Sequence, residues 1–228
     1  MQTSKHEFSV KKKEFKDLLE SLHGLQSAKT FDQVVHDLFL KYQDRGYHNI
    51  FHVTSCLNEL GQLESDINHF EIPQDFSQMK LALWYHDVES SEEDSIKYFY
   101  QDFPPVESKS NGFFPAEMSS EPLVVSLIRA TTPSIEPSNF YERYIKDIDI
   151  SILGKPFDIF KGYENNVRSE YPHVTDKEFC KKRAELLKKF IKKEKIYYTQ
   201  YFQDKYEKQA RANLQVSINK LQSGRALW

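Results

Sequence analysis

Apolar residues recur at helical spacing along much of the chain. The first such segment places its apolar side chains on one face of a helix that begins near Phe31; they are Phe31, Val34, Val35, Leu38 and Tyr42. The preceding Thr30 and the later Gln33 have the spacing of a capping box, in which a Ser or Thr is followed three residues later by Glu or Gln. The pattern therefore predicts that a helix begins at this point.

Four more helices are predicted from their start and stop signals. Capping patterns at Ser90–Glu93 and Thr175–Glu178 indicate helices near 91–102 and from 175 onward. A proline at 122 suits the first turn of a helix at about 121–130. A glycine at 224 follows the last helix, which is predicted at about 204–222. No segment alternates clearly between apolar and polar residues, as a half-buried strand would. We therefore predict an all-α fold.

The composition fits one domain. The chain has 228 residues, of which 39% are hydrophobic and 14% aromatic, and only 7 are glycine and 9 proline, which argues against a turn-rich β fold. We expect a single domain over 1–228, with a core at about 28–222 and an N-terminal helix at about 7–23. Pro- and Ser-rich loops are expected at 103–120 and 131–139.

Charge and hydropathy exclude some classes of protein. The formal net charge of −3 gives no electrostatic reason for an obligate nucleic-acid partner. The basic N-terminal segment is not followed by an apolar run, and no apolar stretch is long enough to span a bilayer, so we expect a cytoplasmic protein without a membrane partner. Cys56 and Cys180 form no CxxC pair and are expected to be reduced core thiols.

Two His-Asp pairs occur, and their helical context separates them. His36-Asp37 points away from the apolar face of its helix, toward water. His86-Asp87 ends the segment 79–85, which is apolar nearly all round after Lys80 and is therefore expected to be buried. A carboxylate at such a place is costly unless it is paired or bound to a metal. We interpret His86-Asp87 as a candidate for metal binding.

Further candidate ligands flank this pair in the sequence. His48 and His52 are four residues apart, so on a helix they would share one face and suit two ligands, or one ligand and one acid/base group. Asp147 and Asp149 lie in a mostly apolar stretch. Two imidazoles with two carboxylates suit one divalent Mn, Fe, Co, Ni or Zn ion better than Ca, and Mg remains an alternative.

The ordered motifs carry a family resemblance. His52, His86-Asp87 and Asp149 resemble the H…HD…D metal signature of the HD superfamily, and the segment 48–52 matches the His-Asn-x-x-His motif of HD-fold phosphodiesterases. The chain also resembles a little-characterised bacterial family described as predicted metal-dependent HD-superfamily phosphohydrolases. The similarity covers roughly 38–220, through RGYHNIFHV, WYHDVESSEEDS, DIDISILG, YENNVRSEY and IYYTQYFQDKYEKQARANL.

The resemblance implies an HD-like helical bundle, a metal on His52, His86, Asp87 and Asp149, and His48 as the general acid. By the same analogy Asp147 is the alternative to Asp149. HD proteins that bind two metals carry additional histidines between the HD pair and the last aspartate. This chain has no histidine from residue 88 to 146, which favours one metal.

A phosphate substrate requires cationic side chains. Four candidates lie in or near the matching motifs: Arg45, Lys146, Arg168 and Arg183. Each of them is equally compatible with a surface salt bridge, and Arg168 with a pair to Glu170 on its own helix. The pocket walls are expected from the 103–120 loop and the C-terminal helices.

Three functions are compatible with these features. The first is a phosphohydrolase for a nucleotide or another small phosphate ester, in which Asp87 or a nearby carboxylate orients the metal-activated water and His48 protonates the leaving alcohol. The second is an HD-fold iron oxygenase. The third is a non-catalytic helical binding or regulatory module. The sequence leaves the oligomeric state open.

Overall fold

A computed structural model describes residues 2–22, 25–66, 73–105 and 121–226. All regular secondary structure in these ranges is helical, which confirms the all-α prediction. The helices are α1 (Gln2–Ser21), α2 (Phe31–Lys41), α3 (Ile50–Asp66), α4 (Pro73–Tyr85), α5 (Glu92–Asp102), α6 (Leu123–Ala130), α7 (Phe140–Asp149), α8 (Phe157–Ser169), α9 (Asp176–Ile191), α10 (Gln200–Phe202) and α11 (Lys208–Gln222), with a 3-10 turn at Ile150–Gly154 and a π-helical segment at Gln203–Glu207. Most of the predicted 103–120 loop lies outside the described residues.

Side-chain caps fix several helix starts. The capping box before α2 is confirmed, because the Gln33 backbone N–H donates to Thr30 Oγ1 and the Gln33 side chain accepts from the Thr30 N–H. The capping pattern predicted at Ser90–Glu93 is wrong by one residue. Ser91 is the N-cap of α5, and its hydroxyl accepts from the Asp94 N–H. This shift places three acidic residues in the first turn, where the helix dipole favours negative charge.

The helices near the two ends of the chain form where the sequence predicts them, and some of their bounds differ. The N-terminal helix runs over Gln2–Ser21 rather than about 7–23. The start of α9 behind Thr175 is confirmed, since the Thr175 side chain accepts from the Glu178 N–H. The last predicted helix corresponds to the π-helical segment and α11 together, and Gly224 follows it with a positive φ of 81°.

Backbone contacts divide the chain into two compact units. The first unit comprises residues 1–43 and 50–145, and the second comprises residues 44–49 and 146–228. The division falls within α7. The expectation of a single domain over 1–228 stays a prediction.

Helix α4 forms the centre of the first unit. Its last turns are fully or almost fully buried, as their apolar pattern predicts, and the helix packs against α1, α3, α5 and α6. The Trp84 ring lies 4.7 Å from the Phe15 ring and 5.6 Å from the Phe39 ring, measured between centroids. The Tyr42 hydroxyl donates to the Trp84 carbonyl at 2.8 Å. The residues that follow α4 therefore start from a rigidly packed interior.

Polar side chains tie together the second unit, in which α9 packs against α11. The Asn213 amide donates to the backbone carbonyls of Leu153 and Lys155, both at 2.8 Å. Asp147 is fully buried, and its two carboxylate oxygens accept hydrogen bonds from the backbone N–H groups of Tyr198 and Thr199 and from the Thr199 hydroxyl. Asp147 thereby anchors the chain just before α10.

The central role of α4 predicts unequal effects for two matched substitutions. Leu83→Ala should lower the free energy of unfolding by about 2–5 kcal/mol, because the removed atoms leave a cavity at a fully buried position. Leu40→Ala removes the same atoms from a side chain that is 49% exposed on α2, and should cost about 0.5 kcal/mol or less. Chemical denaturation followed by circular dichroism measures both values. Equal destabilisation by the two substitutions would contradict this packing.

Candidate metal centre

Three side-chain atoms of the first unit converge near the end of α4. His52 lies in the first turn of α3, and His86 and Asp87 directly follow α4. The two histidine Nε2 atoms are 3.1 Å apart, and Asp87 Oδ2 lies 3.1 Å from His52 Nε2 and 3.0 Å from His86 Nε2. The histidine side chains are 3% and 1% exposed, whereas that of Asp87 is 21% exposed. The structure thus brings together three of the four predicted metal ligands.

A backbone carbonyl fixes the orientation of the His86 ring. His86 Nδ1 lies 2.9 Å from the Leu83 carbonyl oxygen, which can only accept a hydrogen bond. Nδ1 therefore carries a proton, and in the neutral ring the lone pair is on Nε2. An imidazole whose outer N–H is held by a carbonyl in this way is typical of metal-ligating histidines.

Asp87 lies in surroundings that favour its carboxylate form. Burial opposes ionisation of the Asp87 carboxyl, but the adjacent His86 and His52 outweigh it and hold the Asp87 pKa well below its usual range. The carboxylate is the form of an aspartate side chain that binds a cation.

The arrangement fits a divalent transition metal. An ion about 2.1 Å from its nitrogen and oxygen ligands places neighbouring ligands at right angles about 3.0 Å apart. The three separations of 3.0–3.1 Å match this spacing. Two imidazoles and one carboxylate are ligands that first-row transition metals accept. The cluster can therefore hold a metal ion, and its chemistry does not by itself identify which one.

The second His-Asp pair behaves as expected. His36 is exposed on α2, and Asp37 is half-buried and accepts a hydrogen bond from Lys29 Nζ at 2.8 Å. This pair belongs to the polar face of its helix.

Cys56 is a further potential ligand that the sequence analysis assigned to the core. Its side chain is buried, and its Sγ lies 3.8 Å from both ring nitrogens of His52. The potential ligand atoms of His52, Cys56 and His86 all lie within 4.8 Å of one another. The i, i+4 spacing of His52 and Cys56 was a signal that could have indicated this contact.

The expectation that His48 and His52 share a helix face is wrong. Helix α3 begins only at Ile50, and residues 46–49 form bends before it. The Asn49 side-chain amide donates to the carbonyls of Arg45 and Gly46, at 3.1 and 2.8 Å. These bonds stabilise a bend in place of a first helical turn, since Asn competes with the helix for local hydrogen bonds.

His48 is bound to Glu170 in the second unit. Its Nδ1 lies 2.7 Å from Glu170 Oε2, and the backbone N–H groups of Tyr47 and His48 donate to Glu170 Oε1 at 2.8 and 2.9 Å. Burial opposes ionisation of Glu170, but these bonds, led by the one to His48, lower its pKa below the usual value. A carboxylate on Nδ1 fixes the ring and its tautomer, so that Nε2 is the nitrogen that exchanges a proton. The sequence suggested Glu170 only as a partner of Arg168, and its contact with His48 was not predicted.

Gly46 allows the bend to lie against the end of α8. A Cβ on Gly46 would lie 2.5 Å from the Asn166 carbonyl oxygen and 2.9 Å from Glu170 Cγ, both closer than real Cβ atoms approach their neighbours. Because Gly46 has no side chain, the backbone of this segment can approach the Glu170 carboxylate.

The two aspartates of α7 differ in their surroundings. Asp147 is fully buried, and both of its oxygens accept hydrogen bonds from the 198–199 segment. Asp149 ends α7 and is half-buried. The commitment of Asp147 to the backbone favours Asp149 as the carboxylate that could bind an ion. Its role as a ligand stays a prediction.

The four cationic candidates occupy different environments. Arg168 donates to Asp176 and to the carbonyls of Tyr171 and Val174. Arg183 is almost completely buried and donates to Glu164 and Tyr163. Lys146 is buried, and Arg45 is half-buried before the bend. The expected Arg168–Glu170 pair is replaced by Arg168–Asp176, and the phosphate-binding roles of all four cations stay predictions.

The Glu170 contacts predict a pH-dependent stability difference. Because the pKa of Glu170 is depressed in the folded protein, its charge contributes stability above its usual pKa of 4.5, and this contribution is lost as the pH falls through the depressed value. Glu170→Gln should therefore destabilise the protein by about 1–3 kcal/mol at neutral pH, and by less below pH 4.5. Urea denaturation at several pH values measures the difference. Glu185→Gln, at an exposed position on α9, serves as the control and should show no such trend; a pH-independent effect of Glu170→Gln would contradict the assignment.

Two further findings concern similarity to known proteins and membrane-spanning helices. Comparisons with protein-family models, with curated proteins and with solved structures give no match. Within the described ranges, no helix combines the length and the apolar character that crossing a membrane requires.

Proposed function

We propose that the protein is a metal-dependent phosphohydrolase that acts on a nucleotide or another small phosphate ester. The observation that carries the proposal is the convergence of His52 Nε2, His86 Nε2 and Asp87 Oδ2 within 3.0–3.1 Å of one another. The resemblance of the ordered motifs to HD-superfamily phosphohydrolases supports the reaction class.

Each of the proposed ligands has a distinct part in the site. His52 and His86 are nearly excluded from water and would hold the ion, with Asp149 as the fourth ligand that the sequence predicts. A divalent ion bound there would polarise a phosphoryl oxygen and lower the pKa of a bound water. Asp87 reaches solvent, with 21% of its side chain exposed, so its carboxylate is suited to accept a hydrogen bond from the attacking water.

His48 is the proposed proton donor to the leaving alcohol. Only three residues separate it from His52 in the chain, and its side chain is 35% exposed. Glu170 keeps the proton on Nδ1 and the ring in one orientation, so that Nε2 delivers the proton. Glu170 acts through His48 and is a positioning residue.

Oxygen chemistry with Fe(II) is the second candidate function. The specific observation in its favour is the ligand set itself, since two imidazoles and one carboxylate on one face of an ion are typical of non-heme iron oxygenases. Oxygen consumption by the Fe(II)-loaded protein, without release of phosphate from any ester, would favour this candidate.

Substitution of the two His-Asp pairs tests the site. Phosphate release is measured on a panel of nucleotides and phosphate esters, with Mn, Co, Ni, Zn and Mg supplied separately to metal-free protein. His86→Ala and Asp87→Asn should each lower kcat/KM and metal affinity by at least about 100-fold, because even groups that only support a ligand are worth 10- to 100-fold. His36→Ala and Asp37→Asn change the other pair, on the polar face of α2, and should keep the wild-type values. Activity and metal content that survive in both His86→Ala and Asp87→Asn would overturn the proposal.

Leaving-group chemistry tests the role of His48. His48→Gln should lower kcat for an alkyl phosphate ester by about 10²–10⁴-fold, because an alkoxide is expelled poorly without a proton. For a nitrophenyl ester, whose leaving group needs no proton, the loss should be much smaller. Metal content should stay unchanged in this variant. Equal losses for both esters would exclude His48 as the proton donor.

A further inference from the structure

We propose that Cys56 is a thiolate ligand of the metal, and that the site therefore selects a transition ion such as Zn²⁺, Co²⁺ or Fe²⁺ over Mg²⁺. The inference rests on the metal site of the proposed function. It adds a sulfur ligand to the predicted set of two histidines and two aspartates.

The position of Cys56 on α3 directs its sulfur toward the cluster. Cys56 follows His52 by one helical turn, so the two side chains lie on the same side of α3. Cys56 is 2% exposed, and its Sγ lies within 4.8 Å of a ring nitrogen of His52 and of a ring nitrogen of His86. The sulfur thus faces the same interior volume as the two imidazoles.

The sulfur lies beside His52 without pointing at either ring nitrogen. Cys56 Sγ is 3.8 Å from His52 Nε2, and it is also 3.8 Å from His52 Nδ1. An S–H group aimed at the lone pair of one ring nitrogen would lie clearly closer to that nitrogen than to the other. An ion about 2.1 Å from Nε2 and about 2.3 Å from sulfur therefore requires Sγ to move toward the Nε2 side of the ring when the ion binds.

Cys180 provides the contrast within the same chain. It is buried on α9 in the second unit, where burial raises the pKa of its thiol. Within the part of the chain that the structure describes, the grouping of potential metal ligands includes Cys56 and not Cys180. Both cysteines are therefore buried, but among the described residues only Cys56 belongs to a cluster of potential metal ligands.

The chemistry of sulfur sets the metal preference. Thiolates bind Zn²⁺ and other transition ions strongly, whereas Mg²⁺ and Ca²⁺ prefer oxygen ligands. Binding converts the Cys56 thiol into a metal-bound thiolate and releases one proton to solvent for each ion bound. No oxidant or reductant takes part in this step.

Cobalt spectroscopy on the full-length protein tests the inference with a readout other than activity. Co²⁺ added to the metal-free wild type should give visible d–d bands together with a near-ultraviolet band of sulfur-to-cobalt charge transfer. Cys180→Ser should keep both features. Cys56→Ser should lose the charge-transfer band and retain the d–d bands, since the nitrogen and oxygen ligands remain.

Three outcomes overturn the inference, and they separate the ligand from the metal site. Wild-type d–d bands without a charge-transfer band, or a charge-transfer band that survives Cys56→Ser, would show that Cys56 is not a ligand and would leave the proposed metal site standing. Absence of all cobalt bands in the wild type would overturn both the ligand and the proposed function.

X-ray absorption on the zinc-loaded wild type gives the same answer without a variant, so the test does not depend on the folding of Cys56→Ser. One sulfur neighbour at about 2.3 Å from zinc is expected, and a shell of nitrogen and oxygen alone would overturn the inference.

Discussion

Three potential ligand atoms held within 3.1 Å of one another in a largely buried place are the constraint on which the site depends. The Leu83 carbonyl fixes the His86 ring through Nδ1, and the two histidines favour the charged form of Asp87. Because a largely buried place screens charge poorly, a carboxylate there needs a cationic partner, which a protonated imidazole or a bound metal ion would supply. The packing of the first unit maintains this arrangement.

Helix α4 provides the rigidity that the convergence requires. Its last turns are buried on all sides, and both an aromatic cluster and the hydroxyl of Tyr42 hold Trp84, two residues before His86. A ligand that follows a closely packed helix has little freedom to move away from its partners. Asp87 is more exposed than either histidine, so substrate and water would approach from its side.

In the second unit, an oxygen acceptor fixes the ring of His48, as the Leu83 carbonyl fixes the ring of His86 in the first unit. Glu170 binds the backbone at Tyr47 and His48 and the ring of His48 with one carboxylate, and Gly46 permits the close approach. In both histidines, Nδ1 is thus bound to an oxygen acceptor, which is a carbonyl for His86 and a carboxylate for His48. The different acceptors suit different tasks, since a neutral carbonyl orients a ligand while a carboxylate also stabilises a protonated imidazole.

The sequence by itself determined the all-α class, the burial of α4, the cap of α2 and the difference between the two His-Asp pairs. These features depend on spacings of three or four residues, which the regular geometry of one helix converts directly into a shared face. The predicted position of His48 on the face of α3 was wrong, because the Asn49 amide and a glutamate 122 residues away stabilise a bend in place of a helical turn. Only the tertiary structure placed Cys56 beside His52 and His86, committed Asp147 to the 198–199 backbone, and assigned Arg168 and Arg183 to acidic partners. Apart from the one-turn step from His52 to Cys56 and the eight-residue step from Arg168 to Asp176, these outcomes depend on residues distant in the chain. Local periodicity carries no information about which distant elements will meet.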